Sequence, residues 1–158
     1  MTDYVQFERV EETIQMPVAA ATTITAGQWV SYSTGIIKNV TNKAVNILGV
    51  ALHTVDNSDG VLNDKEVTIV TAGLIKAPAV VETTATNSFN HAIAVGDRLS
   101  LGGDAGGNVD DGQGLVDAIN AAGTDAFTFA AGGIVAIALT AVGAASYDAD
   151  IEAMLTIN

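Results

Sequence analysis

The sequence predicts a mostly β, single-domain protein: a small barrel or sandwich built from two similar halves, with at most one or two short helices. Three observations predict it. Polar and apolar residues alternate with period two in several short runs, as half-buried strands require, because successive side chains leave opposite faces. The chain holds 18 Val, 13 Ile and 17 Thr, β-branched residues that favour a pleated surface over a helix. Turns bearing Gly and Asp separate the runs, the spacing of an all-β domain.

Residues 1–17 read as an N-terminal arm. Asp3, Glu8, Arg9, Glu11 and Glu12 are interleaved there with Tyr4, Val5 and Phe7, a mixture that becomes ordered against another surface. Residues 18–158 read as one barrel domain with halves at about 18–80 and 90–158. In the first half, Trp29 and Ser31 alternate with Val30 and Tyr32, and Ser33-Thr34-Gly35 makes a turn. The apolar strand Ile47 to Val55 runs into the turn Asp56-Asn57-Ser58-Asp59-Gly60. Val67, Ile69 and Thr71 then alternate with Glu66, Thr68 and Val70, ahead of a turn signal at Ala72-Gly73.

The stretch 102–133 is Gly-rich and reads as a surface loop without core residues. Within it, Leu115, Val116, Ala118, Ile119 and Ala122 fall at one-face helical spacing, with Gly123 as a stop. The final segment could be a helix capped by Ser146, but alternation from Ile151 to Ile157 favours a strand.

An internal repeat links the halves. Ala26-Gly-Gln-Trp-Val-Ser-Tyr32 parallels Val95-Gly-Asp-Arg-Leu-Ser-Leu101 at an offset of 69 residues. Ile47-Leu-Gly-Val-Ala-Leu-His-Thr-Val55 parallels Ile134-Val-Ala-Ile-Ala-Leu-Thr-Ala-Val142 at an offset of 87. The second copy therefore carries 18 extra residues, which fall in the Gly-rich stretch. Two copies are too few for a solenoid and suit one barrel.

Composition narrows the function. Eighteen acidic and six basic residues give a net charge of −12, which argues against a nucleic-acid partner, since backbone phosphates need a basic patch. The absence of cysteine excludes disulfides, thiolate metal sites and a cysteine nucleophile. The acidic start is unlike a signal peptide, and no segment reads as a membrane span, so no membrane is expected. Charged residues make up only 15% of the chain, below the usual ~25%, so part of the exterior is expected to be buried against other subunits.

Chemistry-bearing constellations are scarce. His53 lies in an apolar strand and His91 in a polar linker; there is no Gly-x-Ser-x-Gly and no His-Glu-x-x-His. Gly112-Gln-Gly114-Leu-Val-Asp117 starts like a dinucleotide fingerprint, but Asp117 stands where the third glycine belongs. Asp56, Asp59 and Asp64, and separately Asp104, Asn108, Asp110 and Asp111, are oxygen ligands on loops without EF-hand spacing. Asn39-Val40-Thr41 matches a glycosylation acceptor by chance. The expectation is a non-enzyme with no cofactor and no metal.

From Glu66-Val-Thr-Ile-Val-Thr-Ala-Gly-Leu-Ile-Lys-Ala-Pro78 outward, the chain resembles the capsid decoration, or cement, proteins of tailed viruses. The order of elements carries the resemblance: a Phe-bearing start (Tyr4 to Phe7), a Thr/Ala-rich stretch, and an Ala-Gly-x-x-Val turn-strand (Ala26 to Val30). There follow a Gly-Val-Ala strand (Gly49 to Ala51), a Val-Thr-Ile-Val-x-x-Gly strand pair (Val67 to Gly73) and a Val-Gly-Asp turn (Val95 to Asp97). It spans most of residues 4–142 through short motifs of common residues, and leaves the Gly-rich loop out.

The resemblance implies a β-barrel that binds the outside of an icosahedral shell, as a homotrimer, and stabilises it without catalysis. The partner would be the major capsid protein, the location the exterior of a bacteriophage virion, and the site of synthesis the host cytoplasm. Tyr4, Val5 and Phe7 are the expected apolar contacts with the shell, and Arg9 the expected charge-assisted one. Phe7 could equally pack on its own barrel, and Trp29 reads as core. The alternative function is a virion- or cell-surface module that binds glycans on a host, for which one Trp and three Tyr offer little material.

Overall fold

The structure is a computed structural model and describes residues 4–39, 46–81, 92–102, 113–117, 134–143 and 149–157. Its regular elements are all strands: β1 (Gln6–Pro17), β2 (Thr22–Ile24), β3 (Trp29–Tyr32), β4 (Ile36–Lys38), β5 (Ile47–Ala51) and β6 (Val55–Asn57), then β7 (Glu66–Ala79), β8 (Arg98–Gly102), β9 (Gly114–Asp117), β10 (Ala136–Ala138) and β11 (Ala149–Thr156). The mostly β class expected from the alternation is the observed one.

Everything hangs on β7, the longest strand at 14 residues. One edge takes β1, antiparallel from Gln6↔Lys76 to Pro17↔Glu66. The same edge then takes β9, parallel at Ala79↔Leu115. The opposite edge takes β5 at Val50↔Val70 and Ala51↔Ile69, then β11 from Thr156↔Ala72 to Ala149↔Ala79.

Two rings result. The C-terminal one closes through β7, β11, β10, β8 and β9 into a five-stranded barrel. The N-terminal one runs β7, β5, β3, β4 and returns to the end of β1 through the parallel bridge Val18↔Ile36. Closure removes strand edges that would otherwise invite aggregation.

The rings share a set of equivalent pairings and hydrogen bonds. Ile24↔Val55 in the β2–β6 pair matches the bridge Ile93↔Val142. Gly27 donates to the Ala51 carbonyl and Gly96 to that of Ala138, both at 2.8 Å; Ala51 donates to Gln28 and Ala138 to Asp97, both at 2.9 Å. The turns agree in detail: Gly27 (φ 83) and Gly96 (φ 91) hold the left-handed position. The side chains that follow them, Gln28 Oε1 and Asp97 Oδ2, accept from the Thr25 and Ala94 N–H at 2.9 and 2.7 Å. These positions keep the offsets of 69 and 87 read from the sequence. The two halves overlap, because β7 closes the first ring and opens the second.

Two cores fill the molecule. Val18, Ile24, Val30, Ile36, Ala51, Val55, Val67 and Ile69 form the smaller one. Trp29, Val50, Ile75, Leu99, Leu101, Leu115, Ile151 and Leu155 belong to the larger. Neighbouring residues Trp29 and Val30 serve different cores, so β3 is buried on both faces.

Three sequence expectations are corrected. Ala72-Gly73 is no turn but lies inside β7, where the Arg9 carbonyl oxygen comes within 2.2 Å of the place a Gly73 Cβ would occupy. The glycine admits the β1 backbone rather than reversing the chain. Leu115 and Val116 begin no helix but lie on β9, held by Leu101↔Leu115 and Ser100↔Val116; residues 118–122 fall outside the described residues. The Gly-rich stretch does supply core: Leu115 is fully buried and Gln113 only 2% exposed. At the C-terminus the strand reading stands, as β11.

Gln113 acts as a polar pin between the rings. Its Oε1 accepts the Trp29 N–H at 2.8 Å, and its Nε2 donates to the carbonyls of Trp29 and Asn39 at 3.1 and 2.6 Å. The side-chain amide thus pairs with the β3 backbone as a strand neighbour would. Gln113→Ala would leave these buried groups without that partner, at a cost of about 3 kcal/mol. Thermal denaturation should show a Tm lower by roughly 6–12 °C. An unchanged Tm would mean that the pin contributes nothing.

Candidate functional site

The four residues expected to meet the shell lie on or beside β1. Val5 is 5% exposed, joins the larger core, and donates its N–H to Gly27 at 3.1 Å. Phe7 is half-buried and packs against the same core, opposite Ile75. Tyr4 is half-buried. Arg9 is open, with its guanidinium 2.5 Å from Glu11 and 61% of its side chain exposed. Residues 6–17, read as an arm, are therefore a strand of the sheet, and two of the three apolar contact candidates already pack on their own fold. The apolar residues that suggested an outside partner have one inside the chain: the bulged register of β1 puts Phe7, Val10, Ile14 and Met16 opposite Ile75, Gly73, Ile69 and Val67. Only the ends of this row reach a core, Phe7 the larger and Met16 the smaller; Val10 and Ile14 remain 41% and 39% exposed.

The other concentration of functional groups is the acidic loop after β6. An open pocket there is lined by Asp56, Asn57, Ser58, Asp59, Gly60, Asp64 and Lys65. Its polar groups are largely occupied in holding the loop. Asp56 Oδ1 accepts the Ser58 N–H and the Thr23 hydroxyl, each at 3.0 Å. Asp64 Oδ2 accepts the Val61 N–H at 2.9 Å. Asn57 Nδ2 donates to the carbonyls of Ala19 and Val61 at 3.0 and 3.1 Å, tying the loop to the turn after β1. Lys65 Nζ donates to the Asp56 carbonyl.

Hydrogen bonds from Ser58 and Thr23, with the Lys65 charge nearby, lower the Asp56 pKa from the ordinary 3.8 to about 2. Among the described residues, no group of three or more His, Asp or Glu side chains is placed to hold a metal ion. His53 is exposed in the turn after β5. Asn39 is 2% exposed, which withholds it from glycosylation in the folded state. His91, Asp104, Asn108, Asp110 and Asp111 lie outside the described residues.

The residue that sequence reasoning missed is Gln113, hidden in a run of glycines and aspartates that carries no periodic signal. The acidic loop was legible from its turn residues. What was not legible is that two of its carboxylates, Asp56 and Asp64, each accept a backbone N–H.

No known protein family and no curated protein matches the sequence. Among solved structures, the chain is similar to the head fiber gp8.5 N base of bacteriophage phi29, with 17% identity, a TM-score of 0.46, and 92% of this chain and 95% of that chain covered. A likeness of that size assigns neither a family nor a role.

Two outcomes follow from this geometry. Deleting residues 1–12 should abolish the cooperative thermal transition seen by circular dichroism, because it removes Val5, Phe7 and half of β1. A truncated chain that melts like the full one would return the segment to the status of an arm. The depressed Asp56 pKa contributes stability above about pH 4, and this is lost as pH falls toward 2. The stability of Asp56→Asn should therefore fall less steeply than wild type over pH 4 to 2, with carboxyl NMR placing the wild-type titration at about 2. An ordinary Asp56 titration would refute the hydrogen-bond account.

Proposed function

We propose that this chain is a non-catalytic bacteriophage virion protein that binds the outside of the capsid and stabilises it by bridging subunits of the major capsid protein. The observation that carries the reading is where the residues of the sequence resemblance fall. Ala26 to Val30 forms the first left-handed turn and enters β3, Gly49 to Ala51 lies in β5, Val67 to Gly73 in β7, and Val95 to Asp97 is the second turn. The motifs shared with decoration proteins are the framework of the paired rings.

Charge supports the exterior placement. A net charge of −12 is repelled by packaged nucleic acid and tolerated on an outward surface. Stabilisation by such a protein is mass action: opening the shell first requires release of the bridging molecules, so the effect grows with occupancy and affinity.

Tyr4, half-buried but outside both cores, and Arg9, exposed, are the two contact candidates not packed on the chain's own cores. Arg9 would meet a capsid carboxylate in a charge-assisted bond. The deciding experiment is co-sedimentation of the purified full chain with undecorated capsids. Binding that saturates, together with a raised temperature of capsid opening, is expected; failure to co-sediment would overturn the proposal. The double variant Tyr4→Ala/Arg9→Ala should keep its β circular-dichroism spectrum and lose occupancy tenfold or more. Equal occupancy would move the contact elsewhere on the barrel.

A further inference from the structure

We infer that the outer face of the β7–β11–β10 sheet is a self-association surface, docking a second copy of this chain. This goes beyond shell binding and shares with it one residue, Arg9, at the edge of the face. The strand register places one row of side chains on this face. Arg9 lies opposite Leu74, Leu74 opposite Met154, Met154 opposite Ile137, and Ile137 opposite Arg98. The row is apolar at its centre and ends in an arginine on either side. Met154 is 39% exposed, and Leu139, whose N–H bonds the Glu152 carbonyl beside it, is 40% exposed. Leu74 and Ile137 beside them are half-buried, so the open apolar surface is Met154 and Leu139 with the flanks of these neighbours. Single exposed apolar side chains are ordinary, whereas adjoining ones across strands mark an interaction surface. A methionine-bearing apolar centre with arginines at its margin is the anatomy of a protein interface.

Charge selects the occupant. The chain has only six basic residues, and this face gathers three: both arginines and Lys76, which lies opposite Gln6 and Glu152 in the next row. Acidic groups share the margin: Glu152 in Lys76's row, Glu12 opposite Ala72 on the far side, and Asp150, 3.6 Å from Lys76. Two copies with a net charge of −12 each repel one another over most approaches. Here the margin carries both signs, so bases of one copy can meet acids of the other while the apolar rows pack.

The test is sedimentation velocity on the full chain at micromolar concentrations, without capsids. Wild type should form a concentration-dependent oligomer, and Met154→Glu should weaken association at least tenfold. Val61→Glu, a more open apolar position on the acidic loop (63% exposed), should associate as wild type does. Should Met154→Glu lose its β spectrum, Leu139→Glu reads the same face from a position outside the strands. A wild type that stays monomeric at every concentration, or face variants that associate like wild type, would overturn the inference. Monomeric wild type together with loss of capsid binding in Met154→Glu would assign the face to the shell protein instead.

Discussion

The constraint on which the rest of this structure depends is that one strand belongs to two closed rings. A strand has two edges, and each edge of β7 is used twice, by β1 and β9 on one side and by β5 and β11 on the other. The strand must therefore be long, and it must change the core it serves part-way along. Val67 and Ile69 face the smaller core, while Ile75, Ala77 and Ala79 face the larger. Gly73 sits where β1 crosses over this change, and a side chain there would collide with the Arg9 carbonyl. The bulges in β1 between Phe7 and Thr13 bracket the same place, as expected where a strand must bend and twist more strongly.

Sharing a strand leaves the seam between the rings to be sealed. The backbone of β3 is deep in the molecule, and buried N–H and C=O groups must find partners. Gln113 supplies them from the second ring to the first. A glutamine can satisfy a donor and an acceptor on one residue because its amide has the same geometry as a peptide group. An apolar residue at this position would fill the space but take away the partner of the Trp29 N–H, while the Trp29 carbonyl would keep the Asn39 N–H.

Sequence reading captured what is periodic and local. Alternation located β3, β7 and β11, and the recurrence of turn and strand disclosed the doubled architecture before any coordinate. Its failures share one physical cause: they are sites where a distant partner overrides a local signal. Ala72-Gly73 carries turn chemistry, yet the need to admit β1 decides its role. Leu115 and Val116 begin a helical spacing, yet pairing with β8 makes them strand. Val5 and Phe7 look stranded among charges until β7 appears beside them. Gln113 bears no pattern at all, since its bonds reach 84 and 74 residues back along the chain.

The same logic bears on the surface. A chain with few charged residues and a doubled ring cannot hide all its apolar side chains in two small cores. The N-terminal apolar cluster, the first suspect for an external contact, is largely absorbed by the fold at Val5 and Phe7. The remainder left at the surface includes the outer row of Leu74, Met154 and Ile137, open at Met154 and half-buried at the other two, where strand pairing forces side chains of three strands into line regardless of their separation in sequence. No linear pattern announces such a row, because its members come from residues 74, 137 and 154. Its flanking arginines stand out only once the register is known, since sequence distance puts Arg9 and Arg98 in different halves. In an acidic barrel, then, the distribution of scarce basic residues is more informative than the abundance of acidic ones. Acids keep the molecule soluble almost anywhere, whereas a base set beside an apolar row changes what can approach it.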